Sequence, residues 1–162
     1  MGTGGLKWGE VENKWAPRML LGEYEHTIDD KNRLTLPAKF RRAFADGVVL
    51  TRGMDGCIYA YPREHWEQLV NGRLGGLDLL SGEARRLQRF FFAGGQDEEL
   101  DRQGRVVIGG SLMRHAGLGR EVVVAGVNDH AEVWDRAAWR DHLREVEGSV
   151  EDVAERLAAK RD

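Results

Sequence analysis

The chain has 162 residues, of which 41% are hydrophobic and 31% charged, a composition typical of a folded protein with one ordinary domain or two small ones. A net charge of −3 argues against a protein that binds nucleic acid through its overall charge. No apolar run is long enough to span a membrane, no signal peptide precedes the first strand, and the single Cys57 excludes an internal disulfide. We therefore expect a cytoplasmic protein with no membrane partner.

The first half of the chain predicts a β-rich module. Residues 1–18 are rich in glycine and lack apolar periodicity, which predicts a flexible N-terminal extension. Pro62 suits the first position of a helix. Before that helix, polarity patterns predict four strands and a helical turn: strands at residues 22–28, 33–36, 48–51 and 57–61, and the turn at residues 38–44.

A glycine-rich linker at residues 67–94 separates this module from a second one, and two short helices are predicted within it, at residues 77–80 and 83–92. Asp135 is expected to cap a further helix, and Ser149 resembles the cap of a separate last helix that begins after Gly148. Four strands are predicted in the second module, near residues 99–100, 106–108, 122–125 and 132–134.

The most informative feature is an internal repeat. Residues 28–36 recur as residues 100–108 at a constant offset of 72 positions, and the match continues through Phe40, which aligns with Leu112. Two copies are fewer than a solenoid needs, so a duplicated half-domain with pseudo-symmetry is indicated. The predicted organisation starts with an N-terminal extension at residues 1–18 and a first module at residues 22–66. A linker at residues 67–94 leads to the second module at residues 95–139, and a helical tail follows at residues 140–162.

Each repeat contains an Asp-x-x-Asn/Gly-Arg motif. Aspartate is favoured at the first position of a type I turn, because its carboxylate accepts backbone N–H groups two residues on. The fourth position then needs a positive φ, which glycine and asparagine tolerate. Turn geometry alone therefore explains Asp29 with Asn32 and Asp101 with Gly104.

The arginine that follows the turn is not required by the turn. Arg33 and Arg105 would each lie beside a rigid tip and could form two hydrogen bonds to guanine or bind phosphate. The alternative is a surface ion pair with the preceding aspartate, worth at most about 1 kcal/mol. The two roles are compatible, because the aspartate can hold the arginine in one rotamer. Recurrence favours DNA contact, with further basic candidates at Lys31, Arg102, Lys39, Arg41 and Arg42.

These residues resemble the MraZ family of bacterial transcriptional regulators. The resemblance is carried by residues 19–29, residues 33–41, and residues 95–101 with Gly104 and Arg105, and it covers the chain from Met19 to about Val146. It implies an α+β fold of two tandem AbrB-like (SpoVT-AbrB) swapped-hairpin modules. These would interlock into one pseudo-symmetric β-barrel with helices after each repeat.

The resemblance also implies a function. A family member would be a sequence-specific DNA-binding repressor of the division and cell-wall gene cluster, including its own promoter. It would bind short G-rich direct repeats as a ring-shaped homo-oligomer and associate with the nucleoid, without a cofactor, metal or small-molecule substrate. The family's Asp-x-x-x-Arg signature maps to Asp29 with Arg33 and to Asp101 with Arg105.

The second copy departs from the pattern. Gly109, Ser111 and Met113 stand where the first copy has Pro37, Lys39 and Arg41, so the first copy is expected to supply more of the DNA affinity. The family's usual start aligns with Met19, so residues 1–18 are either an extension or an upstream start assignment.

The sequence bears on three other classes of function. The five histidines show no metal-ligand spacing, and neither a nucleophile elbow nor a phosphate-binding loop is present, so an enzyme is not expected. An oligomerising interaction module, in which Arg33 and Arg105 bind a neighbouring subunit, remains an alternative. An antitoxin-type regulator is another, although such proteins usually carry one copy of the module.

Overall fold

The structure is a computed structural model that describes residues 19–161. The extension predicted at residues 1–18 lies outside the described residues. The described part forms eight strands, β1 (Glu23–Thr27), β2 (Arg33–Thr35), β3 (Val48–Arg52), β4 (Ile58–Pro62), β5 (Gln96–Glu98), β6 (Arg105–Val107), β7 (Glu121–Val127) and β8 (His130–Asp135). Its α-helices are α1 (Arg63–Leu69), α2 (Gly82–Gln88), α3 (Gly110–His115) and α4 (Arg136–Ala159). One π-helical turn follows α1 at Val70–Leu74, and another follows α2 at Arg89–Ala93.

The strands of the two repeats interlock. Six of them form an antiparallel sheet in the order β1-β7-β8-β4-β3-β5, while β2 and β6 form a separate antiparallel ribbon. β1 of the first repeat pairs with β7 of the second, and β5 of the second pairs with β3 of the first. The α+β class is therefore confirmed. The predicted closed barrel is not confirmed, because the large sheet is open with β1 and β5 at its edges, and pseudo-symmetry of the whole fold stays a prediction.

One hydrophobic core joins the ribbon to the large sheet. Leu34 of β2 and Val106 of β6 are almost fully buried, and they belong to the same cluster as Leu50 of β3 and Val124 of β7. β3 and β7 consist mostly of consecutive buried residues, which is typical of strands covered on both faces. Phe44, from the turn segment after β2, belongs to this cluster and is fully buried. The ribbon is thus held rigidly against the sheet by its inner face.

Three local predictions from residue 77 onward were wrong. No helix forms at residues 77–80, because the Asp78 carboxylate accepts the N–H of Leu80 at 2.9 Å and closes a turn there. The strand expected near residues 99–100 lies at Gln96–Glu98 instead, where it pairs with β3. α4 also runs through Gly148 without interruption. The Ser149 hydroxyl donates to the carbonyl of Glu145 at 2.8 Å within the helix and caps nothing.

Two helix starts follow local chemistry. Pro62 is extended, with ψ at 140°, and ends β4, so α1 begins one residue later than predicted. Asp135 caps α4 as expected, because its carboxylate accepts the N–H of Ala138. Among residues 19–161, no helix combines the length and apolar character that crossing a bilayer requires.

Candidate nucleic-acid interface

The first hairpin turn is built around Asp29. Its Oδ1 accepts the backbone N–H of Lys31 at 2.9 Å and that of Arg33 at 2.8 Å. Its backbone carbonyl accepts the N–H of Asn32 at 3.0 Å, and Asn32 has a φ of 57°. The turn thus takes the form that the sequence predicts, with asparagine in the left-handed position.

The second turn repeats these bonds around Asp101. Its Oδ1 accepts the backbone N–H groups of Gln103 and Arg105, each at 2.9 Å, and its carbonyl accepts the N–H of Gly104 at 3.0 Å. Gly104 has a φ of 75°. The distances in the two turns agree within about 0.1 Å, so the repeated motif specifies one local geometry twice.

Each arginine is fixed by the aspartate of its own turn. The Nε of Arg33 donates to Oδ2 of Asp29 at 2.7 Å, and the Nε of Arg105 donates to Oδ2 of Asp101 at 2.7 Å. About 28% of the Arg33 side chain and 27% of the Arg105 side chain remain exposed. Within the described residues no hydrogen bond engages the terminal nitrogens of either guanidinium. The aspartate therefore orients the arginine and leaves its other edge available to a ligand.

The ribbon presents both arginines on one surface. In the register of β2 and β6, Arg33 lies opposite Val107 and Thr35 lies opposite Arg105. Side chains alternate along a strand, and the intervening Leu34 and Val106 point into the core, so these four share the outer face. We call them the ribbon face: Arg33, Thr35, Arg105 and Val107. Diagonal neighbours in such a pair lie about 7–8 Å apart.

The two uncharged members of the ribbon face, Thr35 and Val107, were not among the predicted site residues. Val107 is 50% exposed, unusual for a valine in the middle of a paired strand segment. The period-2 alternation that starts at Arg33 and Arg105 would have placed Thr35 and Val107 beside them. Thr35 and Val107 both carry methyl groups, which suit contact with the methyl group of a thymine in the major groove.

Four further predicted basic residues lie in the segments next to the ribbon strands. Lys31 and Arg102 are exposed at the tips of the two turns, while Lys39 and Arg42 are exposed on the turn segment that follows β2. Three of these four exposed cations come from the first repeat and one from the second.

Arg41 has a different position from the other predicted cations. Its Nε donates to the carbonyl of Leu36 at 3.2 Å, and its side chain lies against the turn of the second repeat. A Cβ atom at Gly104 would come within 2.7 Å of the Arg41 Cδ atom, so only glycine allows this approach. A basic residue of the first repeat thus covers the second turn, a non-local contact that no sequence motif indicates.

The turn carboxylates are stabilised in their charged form. Despite the opposing effect of burial, the pKa of Asp29 is lowered chiefly by the backbone N–H of Arg33 and then by its guanidinium. The pKa of Asp101 is lowered in the same way by Arg105. Nearby, burial and the positive charge of Arg41 lower the pKa of His26. Both aspartates are therefore ionised at neutral pH, and each holds its arginine through a charge-assisted bond.

The described residues contain no group of three or more histidine, cysteine, aspartate or glutamate side chains that could hold a metal ion. The ribbon face is partly exposed, and its two arginines are hydrogen-bond donors held in place by the turn aspartates. Such an arrangement can bind an anionic polymer.

Comparison with known proteins identifies the relatives of the chain. A family model described as "MraZ protein, putative antitoxin-like" matches residues 19–90 and matches again at residues 91–161. The chain belongs to the MraZ family. Transcriptional regulator MraZ of Roseiflexus castenholzii is 46% identical over 143 residues, which are 88% of this chain and 99% of that protein. Transcriptional regulator MraZ of Moorella thermoacetica is 42% identical over 139 residues, or 86% of this chain and 96% of that protein.

The family match confirms the resemblance and the tandem repeat found in the sequence. Each MraZ copy contributes one turn and one strand of the ribbon, because the boundary between the copies falls between β2 and β6. The copies differ around that shared geometry. Where the first MraZ copy has the exposed Arg41, the second has Met113, which packs against the hydrophobic core.

Proposed function

We propose that this chain is a transcriptional regulator that binds promoter DNA through the ribbon face. The observation that carries the proposal is the pair of arginines that two aspartates hold in the same orientation on one rigid ribbon. A two-stranded ribbon fits the major groove of DNA, and an arginine that reaches guanine contributes about 1–3 kcal/mol of discrimination. The relatives named transcriptional regulator support this class of function.

The finer proposal is a cytoplasmic, nucleoid-associated repressor of its own promoter and of the division and cell-wall gene cluster. Arg33 and Arg105 contact bases in short G-rich direct repeats. Lys31, Arg102, Lys39 and Arg42 contact phosphates, and Arg41 adds positive charge beside the second turn. No cofactor or small-molecule substrate takes part. Repression follows from occupation of the promoter.

Assembly makes this binding strong. One ribbon face makes few contacts, so a single subunit binds weakly. A ring-shaped homo-oligomer that engages successive repeats raises the effective concentration of each further subunit at the DNA. Affinity is therefore expected to increase with the number of direct repeats in the DNA probe.

The test is a gel shift with the DNA upstream of the gene, compared with a duplex of the same composition in which the repeats are scrambled. We expect selective binding to the native duplex, and a log–log dependence on salt with a slope of about −0.9 per phosphate neutralised. Equal binding to both duplexes would contradict sequence-specific regulation. A flat salt response would favour an interaction module or an antitoxin-type role, in which the arginines bind protein.

A further inference from the structure

A cavity of about 490 Å³ is lined by α1, by the π-helical turn that follows it, and by the turn that joins β7 to β8. Its walls include Tyr61 of β4, His65 of α1, Arg73 of the π-helical turn and Asp129 of the β7–β8 turn. We call it the α1 cavity. No residue of the ribbon face lines it. Its volume falls within the range of about 300–1,000 Å³ that is typical of sites for small molecules.

His65 is almost fully buried and has one ring nitrogen without a partner. It is 6% exposed, and its Nδ1 lies 2.7 Å from the backbone carbonyl oxygen of Asp129. A carbonyl can only accept, so Nδ1 carries the hydrogen and donates it. In the neutral ring Nε2 is then an acceptor, and none of the described residues donates to it. This nitrogen is therefore free to accept from a ligand.

The hydroxyl of Tyr61 is also unpartnered. Tyr61 is 6% exposed, and its hydroxyl makes no hydrogen bond to the described residues. The described side-chain atoms that are both fully enclosed and unpartnered are Arg136 Nε and Trp139 Nε1. The Tyr61 hydroxyl and His65 Nε2 are not among them, so both retain accessible surface, which the cavity provides.

The Tyr61 wall is held in place from behind. Its ring stacks on the ring of His130 with centroids 4.9 Å apart, and Trp66 packs against it at 5.7 Å. His130 is in turn held by the carboxylates of Asp129 and Glu132, at 2.8 and 3.1 Å. The polar groups of the cavity are therefore oriented before any ligand arrives.

One cation and one anion line the cavity without bonding to each other. No hydrogen bond or ion pair within the described residues engages Arg73, and Oδ2 of Asp129 is likewise without a partner. Both charges act on the same group. Burial raises the pKa of the Tyr61 hydroxyl, the negative charge of Asp129 raises it further, and the positive charge of Arg73 lowers it. The cavity thus offers two opposite charges beside one hydroxyl.

From these observations we propose that the α1 cavity binds a free α-amino acid in its zwitterionic form. The carboxylate of the ligand meets Arg73 and the Tyr61 hydroxyl, and its ammonium group meets Asp129 and Nε2 of His65. Because both protein charges act on one hydroxyl, the ligand must carry its own two charges close together, as an α-amino acid does on a single carbon. The ligand is bound without being converted, so this site is additional to the proposed DNA binding and does not depend on it.

The first experiment tests the ligand class. Saturation-transfer difference NMR is recorded on the full chain with an equimolar mixture of free L-amino acids, and we expect at least one of them to receive saturation. The strongest binder is then compared by calorimetry with its amide, which lacks the carboxylate, and with its N-acetyl form, which lacks the ammonium group. Each derivative should bind about tenfold or more weakly. No signal from any amino acid, or equal affinity of either derivative, would overturn the proposal.

The second experiment tests the place of binding. Gly72 lines the cavity, and a Cβ atom added there would meet no atom within 4 Å, so Gly72→Leu has room to fill the cavity. The matched control is Gly148→Leu, because a Cβ atom at this exposed position of α4 would also meet no atom within 4 Å. Gly72→Leu should weaken binding of the amino acid about tenfold or more, whereas the control should bind like the wild type. Full affinity in Gly72→Leu would place the ligand elsewhere and overturn the proposal.

Arg73→Gln keeps the test decisive if the filled cavity impairs folding, which circular dichroism reports. Arg73 is exposed and unpaired, so this change should leave the fold intact. Binding of the amino acid should weaken about tenfold, while its amide, which has no carboxylate to lose, should bind the variant and the wild type alike. An equal loss for both ligands, or no loss for the amino acid, would contradict the contact between Arg73 and the ligand carboxylate.

Discussion

The two hairpin turns use the same hydrogen bonds in different surroundings. Three exposed cations of the first repeat follow Asp29 closely in the sequence: Lys31, Lys39 and Arg42. Around Asp101 there is one cation on the tip, Arg102, and the turn is covered by Arg41 from the other repeat. The hydrogen bonds of the two turns are the same, whereas the residues around the turns differ.

The comparison distinguishes the residues that form the turn from the residues that are expected to bind DNA. Both copies have an aspartate at the first position of the turn and a residue that tolerates a positive φ at the fourth, because the turn requires both. The surrounding cations contribute nothing to the turn, so the second copy can replace them. We therefore expect the first turn to dominate DNA affinity, and four changes test that comparison.

The largest effect is expected from Arg33→Ala. Loss of its base contact should weaken binding to promoter DNA by roughly 5- to 150-fold, which corresponds to about 1–3 kcal/mol. Arg105→Ala should have a smaller effect, because fewer cations accompany it. Fluorescence anisotropy with a labelled duplex measures both, and light scattering checks that the assembly is intact. Equal losses would remove the asymmetry, and no loss in either variant or in the double variant would refute the ribbon model.

Asp29→Asn should come next. The amide keeps an oxygen acceptor for the turn but loses the charge that holds the Nε of Arg33, so affinity should fall less than in Arg33→Ala. The matched change is Asp101→Asn. Because the pKa values of Asp29 and Asp101 are lowered in the folded protein, their contribution to stability is present above the ordinary aspartate pKa and is lost as pH falls through the lowered values.

Thermal unfolding between about pH 2 and pH 7 measures this contribution. The midpoint of the wild type should decrease at acid pH more than that of the Asp29→Asn/Asp101→Asn double variant. Parallel pH profiles would show that neither carboxylate is linked to folding.

Exchange of the fourth turn residue, Asn32 or Gly104, should have a smaller effect on stability and DNA binding. The size of this effect should differ between the two copies. Gly104→Asn places a Cβ atom where Arg41 lies, so it should displace that side chain and weaken both folding and DNA binding. Asn32→Gly introduces no such clash and should change the free energy of unfolding by no more than about 1 kcal/mol. Urea denaturation of the two variants makes the comparison, and equal destabilisation would contradict the contact between Arg41 and Gly104.

The smallest effect is expected from His130→Gln, which lies outside both turns and serves as their control. Burial lowers the pKa of His130, but the carboxylates of Glu132 and Asp129, which accept its two ring N–H groups at 3.1 and 2.8 Å, outweigh burial and raise it. Its stabilising contribution is therefore present below the ordinary histidine pKa and is lost as pH rises through the raised value. The wild type should lose stability relative to His130→Gln as pH rises above the ordinary histidine pKa of about 6.5, with DNA binding unchanged. A difference that does not vary with pH would contradict this.

Much of the site could be predicted from sequence because its determinants are local. Asp29 and Asn32 lie within one turn, and the bonds that they make follow from the chemistry of four successive residues. The same logic placed Asp135 at the start of α4. It failed at Ser149, where the capping chemistry was present but the helix continued, because a serine hydroxyl can also donate to the carbonyl four residues earlier.

The remaining features depend on contacts between distant segments. The place of β5 is set by its pairing with β3, and the position of Arg41 by a glycine 63 residues further along the chain. The hydrophobic periodicity of one segment predicts neither the pairing of β5 with β3 nor the contact of Arg41 with Gly104. The open sheet was missed for the same reason, because the pairing of edge strands is a property of the whole fold.

The interlocked pairing has a consequence for synthesis of the protein. Glu23 of β1 pairs with Ala125 of β7, 102 residues later in the chain. At translation rates of about 5–20 residues per second, β1 therefore waits roughly 5–20 s after leaving the ribosome before its partner strand exists. For most of this interval the first half lacks the β6 ribbon strand as well as its β7 partner. Folding must therefore be largely post-translational, and the half-made chain is the form most exposed to chaperones, proteases and wrong partners.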